Sequence, residues 1–256
     1  MKQSYYGKRR AQGYDIGTDV TEMAKAYVSE WKRLGQPQPL LEPMCGTGLN
    51  LEVFQRAGIP CDGLDASEHM LAICRRRLEP YALQSRLYVQ QLEEMKLPQQ
   101  YGMMFSPGGS LGHLYEFPVL EEAIHRIYAN LRTGGWFVFD VRPPAYMGQF
   151  PKDGEIEFDL DTYDDGAAVF TTGVWQHLES ERIIRKWNKL ERFVDDILTE
   201  TEVFDFRERM FEVHEIVPIL EQAGFRNIQV NKAYEIGVAP LESDGILFSC
   251  HKPAIN

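Results

Sequence analysis

Apolar positions recur at three- and four-residue spacing over residues 19–34 (Val20, Met23, Tyr27, Trp31, Leu34). That period predicts an amphipathic helix, with Asp19 and Glu22 as a capping pair and Gly35 as its stop. After the breaker Gly35-Gln36-Pro37-Gln38-Pro39, Leu40-Leu41-Glu42 reads as a short strand, and the turn Cys45-Gly46-Thr47-Gly48 opens a helix that ends at Gly58. Cys61 to Asp65 is a second strand, and Ser67 caps a helix carrying Met70, Leu71, Cys74 and Leu78. Arg86–Gln90 and Met103–Ser106 predict two further strands. Pro118 starts a helix whose stripe is Leu120, Ile124, Ile127 and Leu131, ending at Gly134-Gly135. Trp136–Val141 is almost wholly apolar, as in a strand covered on both faces. Strand and helix in alternation predict a doubly wound, mostly parallel α/β sheet with right-handed crossovers.

Between about 154 and 209 the period changes from helical to alternating. Glu155–Leu160, Ala168–Gln176, Arg182–Phe193 and Thr199–Phe206 predict four antiparallel strands, punctuated by Gly154, Asp164-Asp165-Gly166 and Asp195-Asp196. From 213 the mixed pattern returns. A helix carries Ile216, Ile219, Leu220 and Ala223 and stops at Gly224, with Pro218 in its first turn or at a kink. Strands follow near 227–234 and 245–251. The expected organisation is one domain over 1–256: an arm and helix (1–35), a core (36–146), an antiparallel β insert (147–210), and a last helix with two strands (211–256).

Composition narrows the class. Hydrophobic residues make up 44% and charged residues 25% of the chain, which is ordinary for a globular protein and excludes a disordered, collagen-like or disulfide-dense one. No apolar run approaches the ~18 residues of a membrane span, and the basic start lacks the apolar stretch of a signal peptide. Cys45, Cys61, Cys74 and Cys250 show no metal or disulfide spacing, so they read as reduced thiols of a cytoplasmic protein without a metal site. Net charge is −11, from 27 Lys+Arg against 38 Asp+Glu, which argues against nucleic acid. The one basic run, Arg75-Arg76-Arg77, reads as a solvated helix face.

Three features fall at the carboxyl ends of predicted strands, where such a sheet binds a nucleotide. The first is Glu42-Pro43-Met44-Cys45-Gly46-Thr47-Gly48, whose glycines let a ligand approach the backbone. Asp65 is the second, since a carboxylate there can accept hydrogen bonds from both hydroxyls of a ribose. The third is Gln90-Gln91-Leu92, a polar and an apolar side chain able to flank an adenine. A dinucleotide fingerprint needs a third glycine, but Leu51 stands in its place and Glu42 precedes the turn.

Those residues resemble the class I S-adenosylmethionine-dependent methyltransferases, whose first motif runs acid-x-Gly/Ala-Cys-Gly-Thr-Gly. The likeness continues through Gly63-Leu64-Asp65-Ala66-Ser67-Glu68-His69-Met70-Leu71, Leu131-Arg132-Thr133-Gly134-Gly135-Trp136-Phe137 and Leu220-Glu221-Gln222-Ala223-Gly224-Phe225. It covers roughly 40–142 and 210–252. It implies a Rossmann-like seven-stranded sheet with an inserted antiparallel β lid, S-adenosylmethionine as cofactor and S-adenosylhomocysteine as product. By resemblance Glu42 faces the cofactor's cationic methionine end, Gly46 and Gly48 pack beneath it, and Asp65 holds the ribose. Ala66 and Met70 line the adenine, Gln91 and Leu92 flank it, and Ser106 sits near the transferable methyl. Tyr14, beside Asp15 in an arm that also holds Tyr5 and Tyr6, closes the pocket. Met44 and Gln91 depart from the family's usual Gly/Ala and Asp.

Methyl transfer needs alignment of nucleophile and methyl about 3 Å apart more than it needs a triad, and none is visible. Ser106-Pro107-Gly108-Gly109-Ser110-Leu111-Gly112-His113 is expected to curl over the methyl, with His113 a candidate base or else a helix-capping histidine. The stretch lacks the Asp/Asn-Pro-Pro-aromatic signature of base methylation. Arg142 is a candidate for a substrate anion or for an ion pair. Tyr163, Trp175, His177, Arg185 and Trp187 belong to the lid and either select the acceptor, form core, or face a second copy. The expected partner is a small-molecule acceptor, with a monomer or homodimer both open. The rival readings are an inactive methyltransferase-fold binding protein and an NAD-dependent oxidoreductase.

Overall fold

A computed structural model describes residues 11, 14, 15, 18–81, 85–162 and 166–254. Tyr5, Tyr6, Tyr163, Asp164 and Asp165 lie outside them. The helices are α1 (Thr21–Arg33), α2 (Leu49–Arg56), α3 (Glu68–Leu78), α4 (Phe117–Asn130) and α5 (Val213–Ala223). The strands are β1 (Leu40–Pro43), β2 (Cys61–Asp65), β3 (Leu87–Val89), β4 (Tyr101–Ser106), β5 (Leu131–Val141), β6 (Ile156–Thr162), β7 (Ala168–Leu178), β8 (Ile183–Val194), β9 (Ile197–Arg209), β10 (Arg226–Lys232) and β11 (Ile246–His251). Among the described residues no helix is long and apolar enough to cross a membrane.

Seven strands form one sheet in the order β10-β11-β5-β4-β1-β2-β3. Pairing is parallel from β5 to β3, and β11 runs antiparallel to both β5 and β10. The near-continuous apolar runs of β4 and β5 follow from helices on both faces. Met104, Phe137 and Phe139 point to the side covered by α4 and α5, where Leu120, Ile124, Ile127, Ile216 and Leu220 meet them. Met103, Phe105 and Val138 point to the other side, against Tyr27, Trp31, Phe54 and Leu71 from α1, α2 and α3. The order reverses between β1 and β4, so their carboxyl ends diverge and leave a crevice.

Element limits differ from the sequence reading in instructive ways. β5 starts five residues early, at Leu131 instead of Trp136, because Leu131 pairs with Tyr101 before the glycine irregularity. Pro218 sits inside α5, past its first turn, without ending it. The expected capping pair is not formed: Val20 takes the N-cap position without a side-chain cap bond, and Asp19, two positions before the helix, accepts only from the Thr21 amide at 2.8 Å.

The alternating segment folds as a four-stranded antiparallel sheet, β6-β7-β8-β9. Its register decides which side chains face the core. Trp175 and Ile184 are buried and pack with Met210, Phe206, Tyr146 and Phe150. Trp187 pairs with Val174 and Arg185 with Gln176, so both project from the opposite face. That outer face also exposes Phe158, Leu160, Phe170 and Val203.

Candidate cofactor and acceptor site

The crevice is built from strand ends. After β1 the backbone turns at Met44, which adopts a left-handed φ of 61°, and continues through Gly46 (54°) and Gly48 (80°). A side chain at Gly48 would come 2.5 Å from the Cys74 sulfur, so only glycine lets the turn sit this close to α3. The departure of Met44 from the family's glycine or alanine is thus a bulky residue in strained backbone. Cys45 is buried, held by its amide to the Leu64 carbonyl at 2.9 Å.

Glu42, next to last in β1, is 2% exposed, with Oε1 accepting from Asn50 Nδ2 at 2.9 Å. Its Oε2, the Asn50 Oδ1 and the Ser106 Oγ are buried without a protein hydrogen-bond partner. Burial drives the Glu42 carboxyl well above the ordinary carboxylate range, and the Asn50 amide only partly opposes it. Asp65, at the end of β2, accepts from the amides of Ser67 (2.8 Å) and Gly46 (2.9 Å). Burial raises its pKa, and these two bonds oppose the rise. Two of about four lone-pair directions of the carboxylate are thereby used, which leaves the rest for a pair of ligand hydroxyls.

These features fit a nucleoside cofactor with a cationic end. An ammonium or sulfonium beside Glu42 would supply the missing partner for Oε2, and Asp65 would hold the ribose. Met70 is buried, its methyl 3.8 Å from where a Gly46 side chain would stand, and its amide is capped by Ser67 Oγ at 3.3 Å. Leu92 is buried, Gln91 half-buried and Ala66 exposed at the same end of the sheet. Gln90, by contrast, is tied to Lys96 through both ends of its amide. Asn50 carried no motif in the sequence; its placement on the first turn of α2, eight residues after Glu42, is the signal.

Beyond β4 the loop after Ser106 is organised by Asp140, near the end of β5, a residue that carries no motif in the sequence. Its carboxylate accepts from the amides of Gly108 (2.9 Å) and Gly109 (2.8 Å) and from the hydroxyls of Tyr27 (2.6 Å) and Tyr234 (3.5 Å). It therefore fixes the loop that follows Ser106. Burial raises its pKa, with Tyr27, Arg142 and the loop amides pulling the other way. An acid in an otherwise apolar strand, Trp136–Val141, was the available clue.

Arg142 forms an ion pair with Glu208 of β9, whose side chain is 5% exposed. The pair lies against Gly109 and Gly112, where any side chain would collide with it. Of the two readings of Arg142 the ion pair is realised, but at the junction of lid and core. His113 Nδ1 lies 2.7 Å from the Arg207 carbonyl, and its ring packs edge-on to Phe206 at 5.2 Å. Since a carbonyl only accepts, Nδ1 carries the hydrogen. His177 is engaged similarly with the Pro151 carbonyl at 2.7 Å. Tyr14 is exposed, next to Asp15, which accepts from Thr47 Oγ1 of the glycine turn at 2.5 Å. Among the described residues no group of three His, Cys, Asp or Glu side chains is placed to hold a metal ion.

A methyltransferase domain family matches residues 40–135. The chain is 26% identical over 149 residues to a dTDP-3-amino-3,4,6-trideoxy-alpha-D-glucopyranose N,N-dimethyltransferase of Streptomyces venezuelae, covering 58% of this chain and 59% of that protein. It spans about half the length of the curated relatives it matches, between 46% and 59%. Among solved structures it is similar to an S-adenosylmethionine-dependent methyltransferase of Clostridium acetobutylicum, with TM-score 0.76, 15% identity and coverage of 96% and 98% of the two chains. A sugar N-methyltransferase of Streptoalloteichus matches with TM-score 0.75 at 18% identity, over 99% of this chain and 98% of that one. The motif order, the strand order and the matched domain agree: residues 40–135 match a methyltransferase domain, and the chain shares the fold of solved S-adenosylmethionine-dependent methyltransferases.

Proposed function

We propose that this protein transfers a methyl group from S-adenosylmethionine to an amino group of a small molecule. The observation that carries the cofactor half is the set of unpartnered buried polar atoms, Glu42 Oε2, Asn50 Oδ1 and Ser106 Oγ, in the crevice that Asp65 borders. The bound sulfonium supplies an activated methyl, so that a C–N bond forms as the C–S bond breaks. The chain's own residues bind and align. Glu42 would meet the methionine end of the cofactor and Asp65 its ribose, while Asp140 fixes the Gly108–Gly109 loop beside them.

An amine acceptor is supported by charge. The buried carboxylates of Asp140 and Glu208 stand against one guanidinium, Arg142, so the surroundings favour a cation. An ammonium must lose a proton before it can attack. His113 is the candidate to take it, because its Nδ1 is turned to the Arg207 carbonyl and a base there acts through the other ring nitrogen. Two of the similar proteins, named an amino-sugar N,N-dimethyltransferase and a sugar N-methyltransferase, support the same acceptor class.

Calorimetric titration tests the reading. S-Adenosylmethionine is expected to bind in the micromolar range and NAD to give no heat, with Asp65→Ala weakening the former at least about 100-fold, as loss of two charge-assisted bonds implies. A folded protein that binds neither would overturn it, and binding without turnover on amino sugars or other amines would favour the inactive-fold alternative.

A further inference from the structure

Arg77 ends the basic run that reads from sequence as a solvated helix face. Arg75 and Arg76 are exposed, but the Arg77 side chain is 19% exposed and reaches three other segments. Its Nε donates to the Thr47 carbonyl at 2.9 Å, its Nη1 to Glu52 Oε2 at 2.9 Å, and its Nη2 to Asp15 Oδ2. Asp15 also accepts from the Thr47 hydroxyl at 2.5 Å. Thr47 stands between Gly46 and Gly48, and both its hydroxyl and its carbonyl are engaged in this cluster. Glu52 is held in turn by Arg56 at 2.7 Å and by the Tyr81 hydroxyl at 2.8 Å.

One guanidinium therefore joins the segment of Tyr14 and Asp15 to the turn on which the cofactor would rest, and both to α2. The planar fork of arginine suits this task, because its donors diverge at fixed angles toward three acceptors; a lysine would offer a single point charge. Asp15 and Arg77 are partly exposed, so their attraction is sensitive to ionic strength.

We propose that Arg77 is a positioning residue that clamps the Tyr14–Asp15 segment against the glycine turn and thereby sets how long the cofactor stays bound. The inference rests on the cofactor reading given above. Release would require Asp15 to leave Arg77, so residence time is governed by an ion pair that does not touch the cofactor.

The experiment uses the full chain and two variants, Arg77→Gln and Asp15→Asn. Each is expected to speed S-adenosylmethionine dissociation, followed by stopped-flow competition, by about ten-fold. The double variant should be no faster than either single one, and raising the salt should speed wild-type release but not release from the variants. The cofactor KM should rise while kcat at saturating cofactor does not fall. Arg77→Lys should recover only part of the wild-type residence time. Wild-type dissociation rates in both variants, or additive effects in the double variant, would overturn the clamp. Amide hydrogen exchange at Tyr14, Asp15 and Thr18 in the cofactor-free protein separates this from the cofactor reading: Arg77→Gln should accelerate it whether or not S-adenosylmethionine binds, and unchanged exchange counts against the clamp. Should Arg77→Gln fail to fold, Asp15→Asn, at a half-buried position, carries both measurements.

Discussion

The crevice at β1, β2 and β4 and the sheet β6–β9 differ in how their oxygens are partnered. In the crevice, buried oxygens on Glu42, Asn50 and Ser106 lack protein partners, and Met44 is held in strained backbone. In the lid, charged side chains are paired among themselves: Arg185 and Arg207 share Asp205, and Lys186 meets Glu157. Unpaired buried oxygens cost stability unless something else supplies the bond. In the crevice the unpartnered atoms are oxygens that converge at strand ends; in the lid they are two isolated donors, Trp175 Nε1 and Arg209 Nε, on strands otherwise laced by ion pairs.

The largest break in this contrast comes at the junction. Arg142→Ala would leave Glu208 buried and unpaired, which should cost about 2–4 kcal/mol in denaturant unfolding. Adding Glu208→Gln to it should recover most of that loss. If Arg142→Ala unfolds like the wild type, the pair is not what fastens lid to core.

Next is Glu42. Burial raises its carboxyl above the ordinary value of 4.5, so the folded apoprotein holds a proton that the unfolded chain releases. Its contribution to stability is complete below that value and lost as pH rises through the raised pKa. Glu42→Gln should therefore raise the neutral-pH Tm of the apoprotein by a few degrees, on the order of 1 kcal/mol, while weakening cofactor binding. In the wild type, affinity should increase with pH as Glu42 ionises, and the variant should flatten that dependence. A variant less stable than the wild type, with unchanged affinity, would refute the assignment.

Smaller effects sharpen the picture. Met44→Gly should relieve left-handed strain and gain about 0.5–1 kcal/mol in unfolding. Trp187→Ala, on the outer face beneath Arg185 at 3.9 Å, should leave turnover within about two-fold of wild type. A large loss there would mean that the outer face takes part in the reaction.

The same contrast explains what could be read from the sequence. The cofactor turn and its neighbours are legible because local constraints impose residue types: a φ of 80° and a sulfur 2.5 Å from where a Cβ would stand leave glycine at position 48, and Ser67 must cap α3. Alternation exposed the four lid strands for the same reason, since one face must be buried. The contacts around the loop after β4 were not legible. Asp140 finds the Gly108 amide 32 positions away, Arg142 finds Glu208 at 66, and His113 finds the Arg207 carbonyl at 94. No local period encodes such meetings. Arg77 was misread because charge runs on helices usually face water, whereas here the last member of the run turns back over the glycine turn.

The thiols give the cofactor half a clock of its own. All four cysteines are buried, and Cys45 and Cys74 meet between the glycine turn and α3, where contact with each other raises the Cys45 pKa before burial adds to it. A thiol reagent can reach them only when that seam parts, whereas Cys250 lies on β11 across the sheet. The ratio of labelling rates at Cys74 and Cys250 therefore measures how often the turn lifts from its helix, in the unmodified chain and without an introduced probe.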